Sequence, residues 1–389
     1  MTQPFTGIRI LDFTQVFAGP YASFQLAMLG ADVIKVEKPG GEEMRMNNGK
    51  IGPKGDQTSP MFMAANGNKR GICLDLKDPK AIAAVKRLAA NVDVVMENFR
   101  PGVMDRLGIG WDALSQINPN LIYAAVSGFG RVGPEAKTPA YDGKIQAVSG
   151  IMSVTGYPEN GPTRAGFAVV DAAAGMTAAF AVASALFQRG QTGKGQLVDV
   201  SMLDSALSFL SPAVADWTFT GFRPVQYGNM AVSRRATADL FQAKDGHFLL
   251  ACNTNGQYEI LAKVLDCPDL LTDPRFIDWD ARRDNATALR AILNEVFATG
   301  TAAEWDERLN TAGCPCSKIW NIPEAVEHPQ HAYRPSGMHE VEGVKLMGAG
   351  YAFAHGGPHF NRLPPSPGEH TADVLREAGF SEAEIAELS

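Results

Sequence analysis

IRILDFTQVFAGPYASFQLAMLGADVIKVE, residues 8–37, is the stretch that decides the fold class of this chain. Its first residues, Ile8–Phe13, are mostly apolar and predict a buried strand, and Ala31–Glu37 predicts a second strand. Between them, Gly19-Pro20 opens a helix over residues 21–29, because a first helical turn tolerates proline, whose missing N–H would be unpaired there. Strand, helix and strand in this order form a βαβ unit, which predicts a parallel sheet with a right-handed crossover.

The alternation of strand and helix continues to about Met202 and then changes. Further strands are predicted at 69–76, 92–96, 121–126 and 196–201, and helices at 80–90, 103–107 and 111–116. From about residue 225, a predicted hairpin with a glycine-containing turn (238–243 and 247–251) is followed by helices, which indicates a small α+β domain. Strands are predicted to resume at Glu340–Leu346, and Thr371–Glu377 and Ser381–Leu388 predict terminal helices.

The composition excludes several classes of protein. A length of 389 residues favours two domains, and a balance of 45% hydrophobic and 20% charged residues is typical of a globular chain. The net charge of −7 argues against nucleic-acid binding, because a phosphate backbone requires a basic surface. The five cysteines are scattered and odd in number, which favours reduced thiols and a cytoplasmic location.

The chain also lacks the usual signals for export or membrane insertion. Residues 1–5 have neither the basic start nor the apolar run of a signal peptide. The most apolar segment, Ala172–Leu186, has 15 residues, whereas a span needs about 20. We therefore expect a buried core helix in a soluble protein with no membrane partner.

One carboxylate stands where a short apolar run meets a helix of small residues, in Gly166-Phe-Ala-Val-Val-Asp171-Ala-Ala-Ala-Gly175. An aspartate at such a position is commonly a helix N-cap that accepts hydrogen bonds from the free N–H groups of the first turn. It can also act as a nucleophile. The pattern by itself leaves both interpretations open for Asp171.

The positions of the histidines limit the chemistry of the N-terminal half. The first histidine is His247, so no Ser-His-Asp or Cys-His arrangement can form within that half. The later pairs His328/His331 and His355/His359 are interrupted by proline or glycine and lack carboxylate or thiolate partners, so no metal site is predicted.

A second motif suggests a nicotinamide cofactor, and its context argues against that reading. Gly128–Gly133 matches the dinucleotide fingerprint, but Pro134 and Pro139 follow where a helix would have to begin. Lys38, Arg100 and Arg106 instead follow predicted strands, at the edge where α/β sheets bind ligands. With Asn98-Phe99 they suggest an anionic, nucleotide-like ligand, although each could equally be a solvated surface charge.

The chain resembles the class III CoA-transferases, the family of formyl-CoA:oxalate and carnitine CoA-transferases. The resemblance is carried by these segments: Leu11–Pro20, Gly30–Glu37, Asn68–Lys77, Glu97–Gly102, Gln146–Gly150, Asp171 with Gly175, Gly195–Met202 and Gly368–Thr371. It implies an α/β fold with a Rossmann-like parallel-sheet large domain, a smaller α+β domain and an interlocked homodimer. The expected boundaries are 1–205 plus 335–389 for the large CoA-binding domain, 225–325 for the small cover domain, and 206–224 and 326–334 for linkers.

The resemblance also implies a reaction and a set of site residues. Coenzyme A would move from an acyl-CoA donor to a small carboxylic acid, a dicarboxylic acid among the candidates, through aspartyl anhydride and aspartyl-CoA thioester intermediates. Acyl-CoA would be a substrate, with no tightly bound cofactor. The nucleophile falls on Asp171, which we expect to be ionised with an ordinary pKa. The predicted CoA contacts are Gln15, Val16, Ala18, Lys38, Leu74, Asn98, Phe99, Arg106 and Tyr141.

Two departures from the family pattern bear on the ligands. Pro139 stands where some members have a lysine, so part of the phosphate contact must come from elsewhere. The glycine-rich lid of the oxalate-specific branch has no counterpart between Tyr227 and Ala238, which argues against oxalate as the acceptor. Arg234 and Arg235 are candidates for binding a second substrate carboxylate, or are a surface pair.

Two alternatives to a transferase remain open. The same fold hosts α-methylacyl-CoA racemases, whose catalytic histidine precedes an aspartate where this chain has Tyr141-Asp142. The imidazole half of that pair is therefore missing. A protein that binds acyl-CoA without turnover is the other alternative.

Overall fold

A computed structural model of the chain describes residues 2–46, 58–334 and 337–388. Over these residues the chain forms two compact units, one within 1–151, 164–223 and 329–389, the other within 152–163 and 224–328. Residues 152–163 thus group with the second unit, although the large domain was predicted to contain them, and residues 206–223, predicted as a linker, group with the first unit. The predicted boundaries otherwise stay a prediction, and Pro335 and Ser336, where the C-terminal part of the large domain was expected to begin, lie outside the described residues.

The first unit is built on a parallel sheet, which confirms the predicted α/β class. Its strands in the described chain are β1 (Arg9–Asp12), β2 (Asp32–Glu37), β3 (Arg70–Cys73), β4 (Val94–Glu97), β5 (Ile122–Ser127) and β6 (Gln196–Ser201). They pair in the order β3-β2-β1-β4-β5-β6, and each pairing is parallel. This is the strand order of dinucleotide-binding folds, in which the order reverses between β1 and β4 and opens a crevice at the carboxyl ends.

The helices predicted at 21–29, 80–90, 103–107, 111–116, 371–377 and 381–388 are found close to these positions. The helices of the described chain, which also include several that the sequence did not predict, are α1 (Ala18–Met28), α2 (Pro60–Asn66), α3 (Pro79–Ala89), α4 (Val103–Arg106), α5 (Trp111–Ile117), α6 (Asp142–Val148), α7 (Ile151–Val154), α8 (Val169–Thr192), α9 (Met202–Phe209), α10 (Ser211–Thr220), α11 (Asn255–Val264), α12 (Trp279–Asp284), α13 (Ala286–Phe297), α14 (Ala302–Ala312), α15 (Ile322–Val326), α16 (Thr371–Glu377) and α17 (Glu382–Leu388). Local chemistry sets several ends: Asp78 caps α3 by accepting a hydrogen bond from the Lys80 N–H at 2.8 Å, and Pro79 follows in the first turn.

Each face of the sheet packs against its own hydrophobic core. Along β5, Tyr123 and Ala125 belong to the core that includes residues of α3, α5, α16 and α17. Ile122, Ala124 and Val126 belong to the opposite core, which includes residues of α1, α8 and α9. This alternation is the period of two expected of a strand covered on both faces.

The second unit contains the predicted hairpin. Strands β7 (Ala238–Ala243) and β8 (Gly246–Ala251) pair antiparallel around a two-residue turn, and β9 (Cys316–Lys318) joins the β8 edge. In the C-terminal part of the first unit, the return to strands predicted at Glu340–Leu346 is confirmed. Strands β10 (Met338–Val341) and β11 (Val344–Met347) form a hairpin there, because Glu342 and Gly343 both adopt positive φ, at 51° and 77°.

Helix α8 differs from the 15-residue buried helix expected at Ala172–Leu186. It has 24 residues and is long and apolar enough to cross a membrane, but half of its most apolar window is buried in the protein, as in a core helix. Its other side is not covered: Phe180 and Phe187 expose 76% and 73% of their surfaces. The expected core helix is therefore buried on one side only.

Candidate functional site

A cavity of about 330 Å³ opens at the carboxyl ends of β1, β4, β5 and β6, within the first unit. Loops after β1 and β4, the end of β5, the segment before α6 and the first residues of α8 and α9 form its wall. The lining residues are Gln15, Val16, Phe17, Ala18, Asn98, Phe99, Arg100, Pro101, Val126, Ser127, Gly128, Ala136, Thr138, Pro139, Ala140, Tyr141, Asp171 and Met202. This is the edge at which an open parallel sheet binds its ligands.

Most of the predicted site residues meet at this cavity. Those that line it are Gln15, Val16, Ala18, Asn98, Phe99, Tyr141 and Asp171. Lys38, Leu74 and Arg106 are not among the lining residues. Lys38 is exposed at the end of β2, Arg106 is exposed in the last turn of α4, and Leu74 lies in the hydrophobic core. A contact from Leu74 to a ligand would therefore have to come from its main chain.

The predicted substrate arginines lie in the second unit. The Arg234 guanidinium lies 5.3 Å from the centre of the Tyr227 ring, and that of Arg235 lies 4.2 Å from the centre of the Trp279 ring. Arg234 also has a positive φ of 55°, which is strained for a residue with a side chain. Their role toward a carboxylate stays a prediction.

The loop after β1 is held in a strained conformation. Val16 has φ +68°, an unusual value for a β-branched residue. Its N–H donates to Glu42 Oε2 at 2.8 Å. Asn98 fixes the neighbouring residue, because its Oδ1 accepts from the Gln15 N–H at 2.7 Å and its Nδ2 donates to the Gln15 carbonyl at 2.8 Å. The Asn98 side chain, a predicted CoA contact, thus also positions the loop.

A fully buried group of charges lies beneath this loop. Asp12 accepts hydrogen bonds from Thr14, Ser23 and Lys69, with Lys69 Nζ at 3.1 Å. Burial acts to raise the pKa of Asp12, but Lys69, Lys35 and these hydroxyls lower it below its ordinary value. Burial lowers the pKa of Lys69 to about 8, with Asp12 acting against that shift. The ionised Asp12 thus anchors both the loop and a buried cation.

The same group extends to the residues that hold Val16. Lys35 Nζ lies 2.7 Å from Glu42 Oε1 and donates to the Thr14 carbonyl at 2.8 Å. Glu37 binds Arg45 through both of its oxygens and accepts the Glu42 N–H. The strained loop is therefore fixed at both ends by buried charged side chains.

Asp171 is the third residue of α8, and Ala168 occupies the N-cap position. The N-cap interpretation of Asp171 is therefore wrong. Its carboxylate receives no hydrogen bond from the described part of the chain. Burial, together with the charge of Asp142, raises its pKa to about 7. The ordinary pKa expected from the sequence is wrong, because the helix N-terminus does not offset the loss of water.

A close approach of two helices sets the position of Asp171. A Cβ on Gly175, one turn further along α8, would lie 2.7 Å from the Ala18 carbonyl oxygen and 3.0 Å from Tyr21 Cδ1. Only glycine lets α8 pack against α1 at this distance. Since Ala18 also lines the cavity, this packing places the start of α8 against the loop after β1.

Asp142 is a neighbour of the site that the sequence analysis noted only in comparison with racemases. It is the first residue of α6 and is buried. Both of its oxygens accept from Gln146 Nε2, at 2.7 and 2.8 Å, and Gln146 Oε1 accepts from the Ala165 N–H at 3.0 Å. The spacing of four residues on a helix was the available signal for this pair.

Other lining residues carried little signal in the sequence. Phe17, Ser127 and Met202 are ordinary residues at the ends of strands or the starts of helices, and only their place at the sheet edge brings them together. Pro139, which stands where some members of the family that the chain resembles have a lysine, does line the cavity. Among the described lining residues, Asp171 is the one acid and Arg100 the one base.

Comparisons with known proteins agree on one family. The model of CoA-transferase family III matches residues 5–371. The chain is 39% identical over 386 residues to the acetyl-CoA:oxalate CoA-transferase of Acetobacter aceti, covering 98% of this chain and 97% of that protein. It is 34% identical over 394 residues to the succinyl-CoA:glutarate CoA-transferase of Homo sapiens, covering 99% and 89%. The crystal structure of a CAIB/BAIF family protein from Brucella suis matches with a TM-score of 0.88 and 32% identity, over 97% of this chain and 100% of that one. The chain therefore belongs to CoA-transferase family III and is a CoA-transferase.

Proposed function

We propose that this transferase moves coenzyme A from an acyl-CoA to a small carboxylic acid, with Asp171 as the covalent nucleophile. The observation that carries the proposal is the environment of the Asp171 carboxylate in the cavity. It is the one acid among the described lining residues of the cavity, and its carboxylate is partly shielded from water and receives no hydrogen bond from the described chain. An anion with so little stabilisation is more nucleophilic than a solvated one.

The reaction would proceed through two kinds of covalent intermediate. The Asp171 carboxylate attacks the donor thioester carbonyl, so that a mixed anhydride forms and the C–S bond to CoA breaks. The released thiolate attacks the Asp171 carbonyl carbon, which gives an aspartyl-CoA thioester and frees the donor acid. The acceptor carboxylate then displaces the thiolate, and the thiolate attacks the acceptor acyl carbon. New acyl-CoA leaves, and the Asp171 carboxylate is restored.

The alternatives left open by the sequence have no observation in their favour. A racemase of the related type needs an imidazole at the site, and no histidine is among the described residues that line the cavity. A protein without turnover does not fit the relatives, which are named as CoA-transferases. Deuterium exchange at the α-carbon without an acceptor acid would reveal racemase activity.

The acceptor is proposed from the relatives and tested by a screen. The two relatives named above act, by name, on oxalate and glutarate, which are both dicarboxylic acids. Oxalate therefore belongs in the screen although the glycine-rich lid is missing. The experiment incubates the enzyme with acetyl-CoA or succinyl-CoA and one acid at a time, and detects new acyl-CoA by mass spectrometry. If no acid yields a new thioester, the proposed reaction is wrong.

The raised pKa of Asp171 predicts a pH dependence. Only the ionised carboxylate can attack, so kcat/KM should fall as pH is lowered through about 7. Asp142→Asn removes a neighbouring negative charge and should lower the Asp171 pKa. The pH at which kcat/KM falls to half its maximum, which marks the acidic limb of the profile, should then be lower by up to about one unit. The measurement is kcat/KM against pH for both proteins.

A matched control separates this effect from a general loss of charge. Asp204 lies in the first turn of α9 and is not a lining residue of the cavity. Asp204→Asn should leave the limb in place. If the acidic limb of the profile has the same midpoint in Asp142→Asn, or a higher one, the charge of Asp142 does not raise the pKa of Asp171.

We also propose that the protein is a homodimer, and that the uncovered sides of α8, α9 and α10 form its interface. Met176, Phe180 and Phe187 are exposed on α8, and Phe209 and Phe219 are exposed on α9 and α10. Monomeric proteins rarely expose an apolar surface of this extent. The interlocked arrangement, implied by the family resemblance, is part of the proposal. We keep the cytoplasm as the proposed location.

The homodimer is tested by charge substitution on α8. The double variant Phe180→Glu/Phe187→Glu should sediment near the chain mass of 41.7 kDa, and the unchanged protein near twice that mass, because a buried carboxylate at the interface is strongly unfavourable. Ile322→Glu, at another residue with 78% exposure, is the control and should leave the dimer intact. A variant on α8 that still forms dimers would place the interface elsewhere.

A further inference from the structure

Ser127 is the last residue of β5 and lines the same cavity as Asp171. Its hydroxyl oxygen is shielded from solvent and has no hydrogen-bond partner in the described part of the chain. Buried hydroxyl groups are nearly always hydrogen-bonded, because loss of water without a replacement partner is unfavourable. An unpaired hydroxyl in the wall of a ligand cavity therefore points to a partner on the ligand.

The position of Ser127 in β5 indicates which part of the ligand it meets. Val126 packs in the core that includes Val170 and Ala174 of α8, the helix that carries Asp171. Tyr123 and Ala125 pack in the opposite core, against which Phe99 also packs. Side chains alternate along a strand, so Ser127 extends from the Phe99 side of the sheet. It therefore lies across the sheet edge from the helix that carries the nucleophile.

The chemistry of the cavity narrows the choice of ligand group. A thioester carbonyl must reach Asp171 on the α8 side, which leaves the remainder of the ligand to meet Ser127. A phosphate group next to a shielded, uncharged hydroxyl would lose its water for one weak donor. An amide, which both donates and accepts, matches a hydroxyl that can do the same.

We propose that the Ser127 hydroxyl hydrogen-bonds an amide of the pantetheine arm of acyl-CoA. The inference rests on the proposed function, since it requires acyl-CoA to occupy this cavity. Ser127 would then be a residue that binds the arm and contributes to the affinity for acyl-CoA. Its hydrogen bond would be equally strong in the ground state and the transition state, so it would affect KM and not kcat.

The test compares three ligands on the full-length protein by calorimetry. Ser127→Ala should weaken the binding of CoA and of pantetheine by about tenfold, because one neutral hydrogen bond is lost. Binding of 3′-phospho-ADP, which lacks the arm, should not change. In transfer assays the KM for acyl-CoA should rise by about the same factor, with kcat retained.

The control is Ser205→Ala, which removes another buried hydroxyl. Ser205 Oγ donates to the Ser201 carbonyl at 2.8 Å and does not line the cavity, so CoA affinity should be unchanged. Ser127→Ala should melt no lower than the unchanged protein, because its hydroxyl has no partner to lose within the described chain.

Several results would overturn the assignment. A matching loss of affinity for 3′-phospho-ADP would place the contact on the phosphates, and a fall in kcat at constant KM would place it on the reacting carbonyl. Equal CoA affinity in Ser127→Ala and the unchanged protein would overturn the role of Ser127 alone. If the unchanged protein does not bind CoA at all, the proposed function fails, and this inference fails with it.

Discussion

Asp171→Ala is expected to lower kcat/KM for CoA transfer by on the order of 10⁴-fold or more, the scale of losing a covalent nucleophile. The reason is that the described lining of the cavity holds no second acid that could replace it. CoA binding should persist, because the residues predicted to contact CoA are unchanged. The measurements are the rate of acyl-CoA exchange with a carboxylic acid and the affinity for CoA by calorimetry.

The stability of the same variant provides an internal check. The pKa of Asp171 is raised from 3.8 to about 7 on folding, so the folded protein binds more protons than the unfolded chain between these values. The free energy of unfolding therefore falls as pH rises through this window. Asp171→Ala removes this penalty and should melt at a higher temperature than the unchanged protein at pH 8, which would show that the loss of activity is not a loss of fold.

Two further experiments complete the argument for Asp171. Asp204→Asn, which also removes an acid from a first helical turn, should retain transfer activity. Hydroxylamine added with acyl-CoA should convert Asp171 to a hydroxamate, seen by peptide mass spectrometry, because it attacks activated carboxyl groups. Full activity in Asp171→Asn would end the proposal, since an amide cannot form the anhydride.

The second large effect is on stability and concerns Asp12. Asp12→Ala should lower the free energy of unfolding by about 3–5 kcal/mol, the range for leaving a buried charge without its partner. Lys69, which is fully buried, would lose the carboxylate 3.1 Å from its Nζ. The measurement is urea denaturation at pH 7.

The sign of the pH dependence follows from the same contacts. The pKa of Asp12 is lower in the folded protein than in the unfolded chain. Its contribution to stability is therefore complete above its ordinary pKa and is lost as pH falls through the lowered value. The difference between the unchanged protein and Asp12→Ala should shrink at strongly acidic pH.

Surface and double variants make this prediction specific. Lys80 and Glu387 form an exposed ion pair, with side chains 61% and 59% exposed, so Lys80→Met should leave the free energy of unfolding nearly unchanged. Asp12→Leu/Lys69→Met removes both buried charges and should be less destabilised than Asp12→Ala. If Asp12→Ala unfolds like the unchanged protein, the buried charges are not what holds the loop after β1.

The sequence by itself determined the elements, because their signals are local. Short segments rich in apolar residues mark β1, β2, β4 and β5, Asp78-Pro79 marks the start of α3, and the glycine at 246 marks the turn between β7 and β8. At Glu340–Leu346 the predicted strands form a hairpin, whose turn has a positive φ at both Glu342 and Gly343. The family resemblance supplied Asp171 and six of the other 17 residues that line the cavity.

Only the tertiary structure decided the pKa values and the hydrogen-bond partners of these residues. The pKa of Asp171 depends on burial and on Asp142, 29 positions earlier in the chain, and no local pattern carries that information. Asn98 positions the loop after β1 through its hydrogen bonds with the main chain of Gln15, whereas Asn98 itself follows β4. Ser127 is identified as a candidate binding residue only by the structure, in which its hydroxyl lies in the cavity wall without a hydrogen-bond partner in the described chain. Hydrophobic periodicity places a residue on an element, but its electrostatic environment is set by neighbours that only the packed fold brings within a few ångströms.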